Sequence, residues 1–203
     1  MNQIQLETKQ LTPSKVVCVG RNYVDHIKEL NNDIPEEIVL FIKPNSSISP
    51  KIYAGTTDPI HYEGEICYLI QAGEITAVGI GLDLTKREIQ SQLKSKGLPW
   101  ERAKCFDKSA VFSHFVPFHE NLTDLRLELS INDQLVQLAD STKMINKPNQ
   151  ILEETKSFLT LEDGDVIMSG TPKGVGIVKK GDVFHGKLFT QHTLLIEHSW
   201  TVK

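Results

Sequence analysis

Apolar residues in this chain come in short runs with a period near two, and few stretches carry the wider spacing of a helix. The run Lys15–Val19 reads as a short buried strand that stops at Gly20, and Ile38–Ile42 as a second, stopped by Pro44 and the Asn45-Ser46-Ser47 cluster. Strands are predicted again over 62–70, 75–84, 110–115, 125–131, 134–138, 165–168 and 193–202. The Asn132-Asp133 pair between two alternating runs predicts a hairpin turn. Helical spacing is rarer. One helix is expected over 22–30, with Asn22 as its cap and Asn31-Asn32 as its end. A second is expected from Thr85 to about Lys96, with Thr85 and Glu88 as a capping box and Gly97 as its stop. A third opens at Pro148 and runs to about Leu159. Strands with a few intercalated helices predict an α+β, mainly β chain and argue against a Rossmann sheet or an (βα) barrel.

The length, 203 residues, is that of one domain, expected to span 1–203. The composition (39% hydrophobic, 24% charged) excludes a disordered tail, a collagen and a coiled-coil rod. A formal net charge of -4 makes nucleic acid a poor partner. No apolar run approaches the ~20 residues needed to cross a bilayer, and the first ten residues lack the apolar core of a secretory signal, so a cytoplasmic protein is expected. Cys18, Cys67 and Cys105 are odd in number and widely spaced, which supports neither a disulfide framework nor a zinc ribbon.

The candidate chemistry is acidic. In His61-Tyr62-Glu63-Gly64-Glu65-Ile66, a strand puts Glu63 and Glu65 on one face and Tyr62, Ile66, Tyr68 and Ile70 on the other. Two carboxylates about 7 Å apart repel by about 2 kcal/mol at an effective dielectric near 20, so a cation is expected between them, either Arg, Lys or a metal ion. Asp83 ends the next apolar run. It reads either as a helix-cap residue or as a third acid; three converging carboxylates form the all-oxygen site that Mg²⁺ or Mn²⁺ prefers. His61 is a possible nitrogen ligand, although a lone histidine near a strand start is more often structural. His26 and Glu29 are neighbours on a helix, forming either a surface ion pair or a base able to activate water. The run Ser169-Gly170-Thr171-Pro172-Lys173-Gly174-Val175-Gly176 lacks the Walker ending; it reads either as a tight loop or as a set of backbone N–H groups and a Thr171 hydroxyl presented to a carboxylate.

Six segments, GRNYVDHIKEL, LFIKP, HYEGEI, GLDLTKREIQ, KGLPWERAKCFD and VIMSGTPKGVG, together resemble the fumarylacetoacetate hydrolase family, in the family's order and over roughly residues 15–190. The chain is most similar to the short members without an added N-terminal domain, which include acylpyruvate hydrolases and oxaloacetate decarboxylases. The resemblance implies a mixed β-roll with a few short helices, a homodimer, and Mg²⁺ or Mn²⁺ held by Glu63, Glu65 and Asp83. It implies His26 and Glu29 as the water-activating dyad on a helix that often acts as a lid, and Lys104 reaching the substrate's oxygens. Arg87, Gln90 and Thr171 match substrate-contacting positions, and Arg21 and Lys43 match motif positions.

On this footing the expected reaction is cleavage of a carbon–carbon bond in a small 2-oxo or 2,4-dioxo acid, by acylpyruvate hydrolysis or oxaloacetate decarboxylation through an enolate, with the ion as Lewis acid. A keto–enol tautomerase or double-bond isomerase using the same site is the alternative. A non-catalytic, metal-stabilised binding module would keep the acids but need neither His26, Glu29 nor Lys104.

Overall fold

The computed structural model describes residues 1–55, 57–191 and 193–203. The chain opens with a hairpin of β1 (Ile4–Leu6) and β2 (Lys9–Leu11), then runs through β3 (Lys15–Gly20), α1 (Val24–Glu29), β4 (Val39–Pro44) and β5 (Ile48–Ser49). The two-residue β6 (His61–Tyr62) precedes a long hairpin of β7 (Gly64–Gln71) and β8 (Glu74–Asp83). After it come α2 (Arg87–Ser95), α3 (Glu101–Lys104), β9 (Ala110–Phe112), β10 (Val116–Pro117), β11 (Leu125–Ile131) and β12 (Gln134–Asp140). The last elements are α4 (Pro148–Phe158), β13 (Val166–Met168), β14 (Gly176–Ile177), β15 (Val183–Thr190) and β16 (Thr193–Thr201).

The large sheet runs β4-β3-β13-β7-β8-β9-β5, with β10 also on β8; a smaller sheet runs β12-β11-β15-β16. β13 lies parallel to β3 and β5 parallel to β9, whereas the other pairs of the large sheet are antiparallel. The fold is therefore the expected mixed α+β, mainly β roll.

Apolar residues on both faces of the large sheet explain its near-continuous runs. Tyr62, Ile66, Tyr68 and Ile70 join the main core with Leu127 and Leu129 of β11, Phe184 and Leu188 of β15, and Trp200 of β16. That is the face expected for them. The opposite face, with Val16, Cys18, Cys67, Leu69 and Met168, forms a second core that Ile4 and Leu6 cover. Cys18 and Cys67 are free thiols inside it. Gly81 permits this packing, since a Cβ there would meet Cys67 Sγ at 2.4 Å and Met168 Cε at 2.9 Å.

Several local expectations change. Asn22 does not cap α1, whose N-cap is Tyr23. Its carboxamide is fully buried instead, donating to Asn146 O and Ser169 O and accepting from Asn146 N–H. The Thr85–Glu88 capping box does not form, and α2 begins at Arg87 without a side-chain cap. The strand expected over 62–70 breaks at Glu63. Pro44 ends β4 from within, tolerated because β4 is an edge strand. The spacing did not reveal β15 or α3. Asn132 and Asp133 have φ of 50° and 66°, as a two-residue hairpin turn requires.

One charged clamp joins the parallel strands. Asp165 is fully buried and accepts from Ser14 N–H and Oγ, Lys15 N–H, Glu162 N–H and the Lys15 ammonium, the last at 2.6 Å. Burial alone would raise its pKa, but these donors, Lys15 first, hold it below the usual range. Its stabilising effect is therefore complete above the unfolded-state pKa near 4 and lost as pH falls through the lower folded-state value. Asp165→Asn is expected to cost about 1.5–3 kcal/mol at neutral pH. In urea titrations the gap from wild type should close below about pH 4; a gap independent of pH would exclude this origin.

Candidate active site

The β7–β8 hairpin converts a separation of twenty residues into contact. Asp83 N–H donates to Glu63 O at 2.9 Å, and Gly64 and Glu65 face Leu82 and Gly81. The register changes once, because Leu69 faces Ala77 but Ile70 faces Ile75, leaving Thr76 as an extra residue. Side chains opposite one another share a face, so this bulge turns Asp83 toward the side that carries Glu63 and Glu65. Carboxylate oxygens of all three lie within 4.8 Å of one another, and all three residues are buried. At an effective dielectric near 20, each pair repels by about 3 kcal/mol.

Cations from three other elements answer that repulsion. The Lys104 ammonium, at the end of α3, donates to Glu63 Oε2 at 2.8 Å, Asp83 Oδ2 at 2.6 Å and Thr85 Oγ1 at 2.7 Å. Arg87 donates to the other Glu63 oxygen and to Gln90 Oε1. Lys43 is fully buried behind Asp83, 2.9 Å from its Oδ1, and donates to Lys104 O, Leu84 O and Ser109 Oγ. Burial opposes the charge on Glu63, yet Lys104 and Arg87 hold its pKa well below the carboxylate range. Burial likewise works against the Lys104 ammonium, and Asp83 and Glu63 outweigh it, raising its pKa. Glu65 has weaker support. Burial, then the Asp83 and Glu63 charges, push it well up, although Gly170 N–H donates to it at 2.7 Å.

These donors suit a hard divalent ion. The set is all oxygen, and Asp83 Oδ1 is buried without a hydrogen-bond donor, the Lys43 ammonium being near but out of line. His61 is outside the cluster; burial and Arg87 lower its pKa.

The second candidate group lies across the cleft. His26 Nδ1 is 3.0 Å from Glu29 Oε2, and Glu29 Oε1 accepts from Gly174 N–H at 2.9 Å. The glycine-rich loop thus presents backbone N–H groups to two of the chain's own carboxylates, Glu65 and Glu29. Thr171 Oγ1 donates to Gly64 O and accepts from Gln137 Nε2. His26, Arg21, Glu63, Asp83, Arg87, Gln90, Lys104 and Thr171 line one narrow cleft with about 40 Å³ of free space, and Lys43 does not reach it.

Sequence reading missed several members. Gln137 accepts from Gly64 N–H and donates to Thr171 and Pro172 O, tying the acidic strand to the loop. The sequence held no signal for it: Gln137 is buried while its neighbours Leu135 and Leu138 are exposed, the reverse of what their hydrophobicity suggests. Lys94 also lines the cleft. At Gly64 a Cβ would crowd two side-chain ends, Leu129 Cδ2 at 2.8 Å and Gln137 Oε1 at 3.0 Å.

The family model described as "Fumarylacetoacetate (FAA) hydrolase C-terminal" matches residues 15–193. The chain belongs to the fumarylacetoacetate hydrolase family. Among curated relatives, the oxaloacetate tautomerase YcgM of Escherichia coli is 39% identical over 203 aligned positions, covering 89% of this chain and 93% of the relative. The human mitochondrial oxaloacetate tautomerase FAHD1 is 38% identical, covering 82% of this chain and 83% of the relative. A crystal structure described as a putative fumarylacetoacetate isomerase/hydrolase from Oleispira antarctica superposes with a TM-score of 0.93 at 36% identity over both whole chains. The fumarylpyruvate hydrolase of Pseudomonas aeruginosa, solved with Mn²⁺ and pyruvate, superposes with a TM-score of 0.87 at 25% identity, covering 99% of this chain and 95% of that one. Among members of this family, then, tautomerase and hydrolase names occur on one fold.

Mn²⁺ at one hundred times its Kd is expected to stabilise the folded chain by about 2.7 kcal/mol. Glu65→Gln should remove that shift in thermal melts and abolish the calorimetric signal; an unchanged shift would place the ion elsewhere. Gly64→Ala should weaken Mn²⁺ binding at least tenfold by pushing Gln137 aside.

Proposed function

We propose that the chain is a divalent-metal-dependent enzyme of small 2-oxo acids whose reaction is keto–enol interconversion of oxaloacetate. Glu63, Glu65 and Asp83 would hold the ion, Mg²⁺ or Mn²⁺, in line with the Mn²⁺ in the Pseudomonas relative. When bound, it supplies Lewis-acid polarisation of the 2-oxo group.

The chain's own groups do the rest. The observation that carries the reading is His26, held by Glu29, lining one small cleft with Glu63 and Asp83 of the acid cluster. A carboxylate on Nδ1 fixes the proton there and leaves Nε2 as the base. His26 would take the proton from carbon 3, with Glu29 steadying the imidazolium, which would then return a proton to the 2-oxygen to complete the enol. Lys104 and Arg87, now donating to acids, would each redirect one of those hydrogen bonds to the substrate oxygen where charge develops. Gln90 and Thr171 would orient the substrate carboxylate. The names of the relatives at 39% and 38% identity support tautomerisation ahead of the bond cleavage that the motifs put first.

A second reading, hydrolysis of an acylpyruvate, is favoured by one observation. A histidine backed by a carboxylate also deprotonates water, and the 25%-identical relative is named a fumarylpyruvate hydrolase.

Proton NMR of the Mn²⁺-loaded or Mg²⁺-loaded protein with oxaloacetate should show catalysed exchange between keto and enol forms. His26→Ala should lower it by a factor of about 10²–10⁴, while Glu29→Gln lowers it less. Acetate release from acetylpyruvate outpacing oxaloacetate exchange would move the assignment to the second reading.

A further inference from the structure

The strand that carries Glu65 runs past the end of its neighbour. β13 stops at Met168, opposite Cys67, and the last contact on that side comes from Ser169, which donates to Ile66 O through both its N–H and its Oγ. Beyond that point β7 has β8 on one side, with Gly64 opposite Leu82, and among the described residues no strand on the other. Gly64 is buried, so its backbone groups need other partners. Two side chains supply them. Gly64 N–H donates to Gln137 Oε1 at 2.8 Å, and Gly64 O accepts from Thr171 Oγ1 at 3.0 Å. Gln137 Nε2 closes the ring by donating to Thr171 Oγ1 at 2.9 Å, and it gives its other proton to Pro172 O at 2.9 Å. Gly64 N–H can only donate and Pro172 O can only accept, so the carboxamide has one possible orientation. Gln137 and Thr171 are both buried, but of the two only Thr171 lines the cleft.

We propose that Gln137 is a positioning residue for the substrate carboxylate, acting through Thr171 from outside the cleft. This rests on the function proposed above, in which Thr171 orients that carboxylate. A hydroxyl has one proton and two lone pairs, and its proton turns to suit its neighbours. Gln137 takes one lone pair of Thr171 Oγ1 and so holds the oxygen in place. The proton is given to Gly64 O before substrate binds and to the carboxylate afterwards. Only that proton has to turn, so little side-chain freedom is lost on binding. Without the amide, the Thr171 hydroxyl would lose its anchor, and Gly64 N–H and Pro172 O would be buried without partners. The residue type fits this task. A carboxamide accepts and donates as a peptide group does, so it stands in for the strand that β13 does not extend. A methionine of similar length would fill the same space and do neither.

Oxalate tests this without turnover, since it offers a carboxylate beside the ion. In calorimetry with Mn²⁺ saturating each protein, Gln137→Met is expected to weaken oxalate about fivefold, the loss of one hydrogen bond. Thr171→Val should weaken it by a similar factor. Adding Gln137→Met to Thr171→Val should then weaken it no further, because the two side chains act as one unit. Gln137→Glu keeps the acceptor for Gly64 N–H and serves where the methionine variant unfolds; its loss of oxalate affinity should likewise shrink in the Thr171→Val background. With oxaloacetate, Gln137→Met should raise KM about fivefold and leave kcat within about twofold. Unchanged oxalate affinity in Gln137→Met, or a loss of equal factor with and without the Thr171 hydroxyl, would overturn the positioning role, as would a fall in kcat with KM unmoved. Oxaloacetate exchange in wild type judges the reaction separately: exchange without coupling between Gln137 and Thr171 removes only the positioning role, and coupling without exchange removes only the tautomerase.

Discussion

Three carboxylates buried within 4.8 Å of one another cannot stand without compensation. Their mutual repulsion, and the loss of water around each, explains why Lys104 and Lys43, both among the most buried residues, converge there from separate elements. It also explains the third contact of Lys104 with Thr85, which gives all three ammonium protons an acceptor. Removing a partner from such a set strands a buried charge, so the arrangement is held more by the cost of breaking it than by its net strength. Other unusual features follow from the same demand. Gly170 adopts a φ of 94° and brings its N–H to Glu65, and Asn22 braces that loop through Ser169 O.

The same loop serves both halves of the site. Gly170 N–H meets Glu65 and, four residues on, Gly174 N–H meets Glu29. A movement of the loop would therefore shift the acids and the histidine pair together. Gln137 ties the loop to Gly64 from the other sheet, so the two sheets meet at the site through one carboxamide.

Much of this was legible in the residues. Alternation located β7, β8 and β11 closely, and the two turn asparagine and aspartate residues fixed the 132–133 hairpin because only certain side chains accept a positive φ. Glu63, Glu65, Asp83, His26, Glu29 and Lys104 were all named as candidates before their convergence could be seen. What failed was local reasoning about polar residues with distant partners. Asn22 and Thr85 have the chemistry of helix caps, but tertiary acceptors (Ser169 O and Asn146 O) and the Lys104 donor claimed them instead. β15 was missed because its buried face holds Gly186 and Thr190 beside Phe184 and Leu188, while apolar Val183 and Phe189 lie on the other face, so residue type does not follow the alternation. Nothing in the spacing singled out Lys94, which the fold brings into the same cleft as Arg21.

The extra residue at Thr76 makes the site depend on counting rather than on sequence identity. From the bulge to Asp83 the chain must keep its length, since gaining or losing one residue there would turn the aspartate to the opposite face, into the main core beside Ile80 and Leu82. Beyond the bulge, the tip at Ala72 and Gly73 bears no such arithmetic. Divergent copies of this hairpin are thus free to lengthen at the tip, yet are confined to paired insertions along the arm that carries the acid.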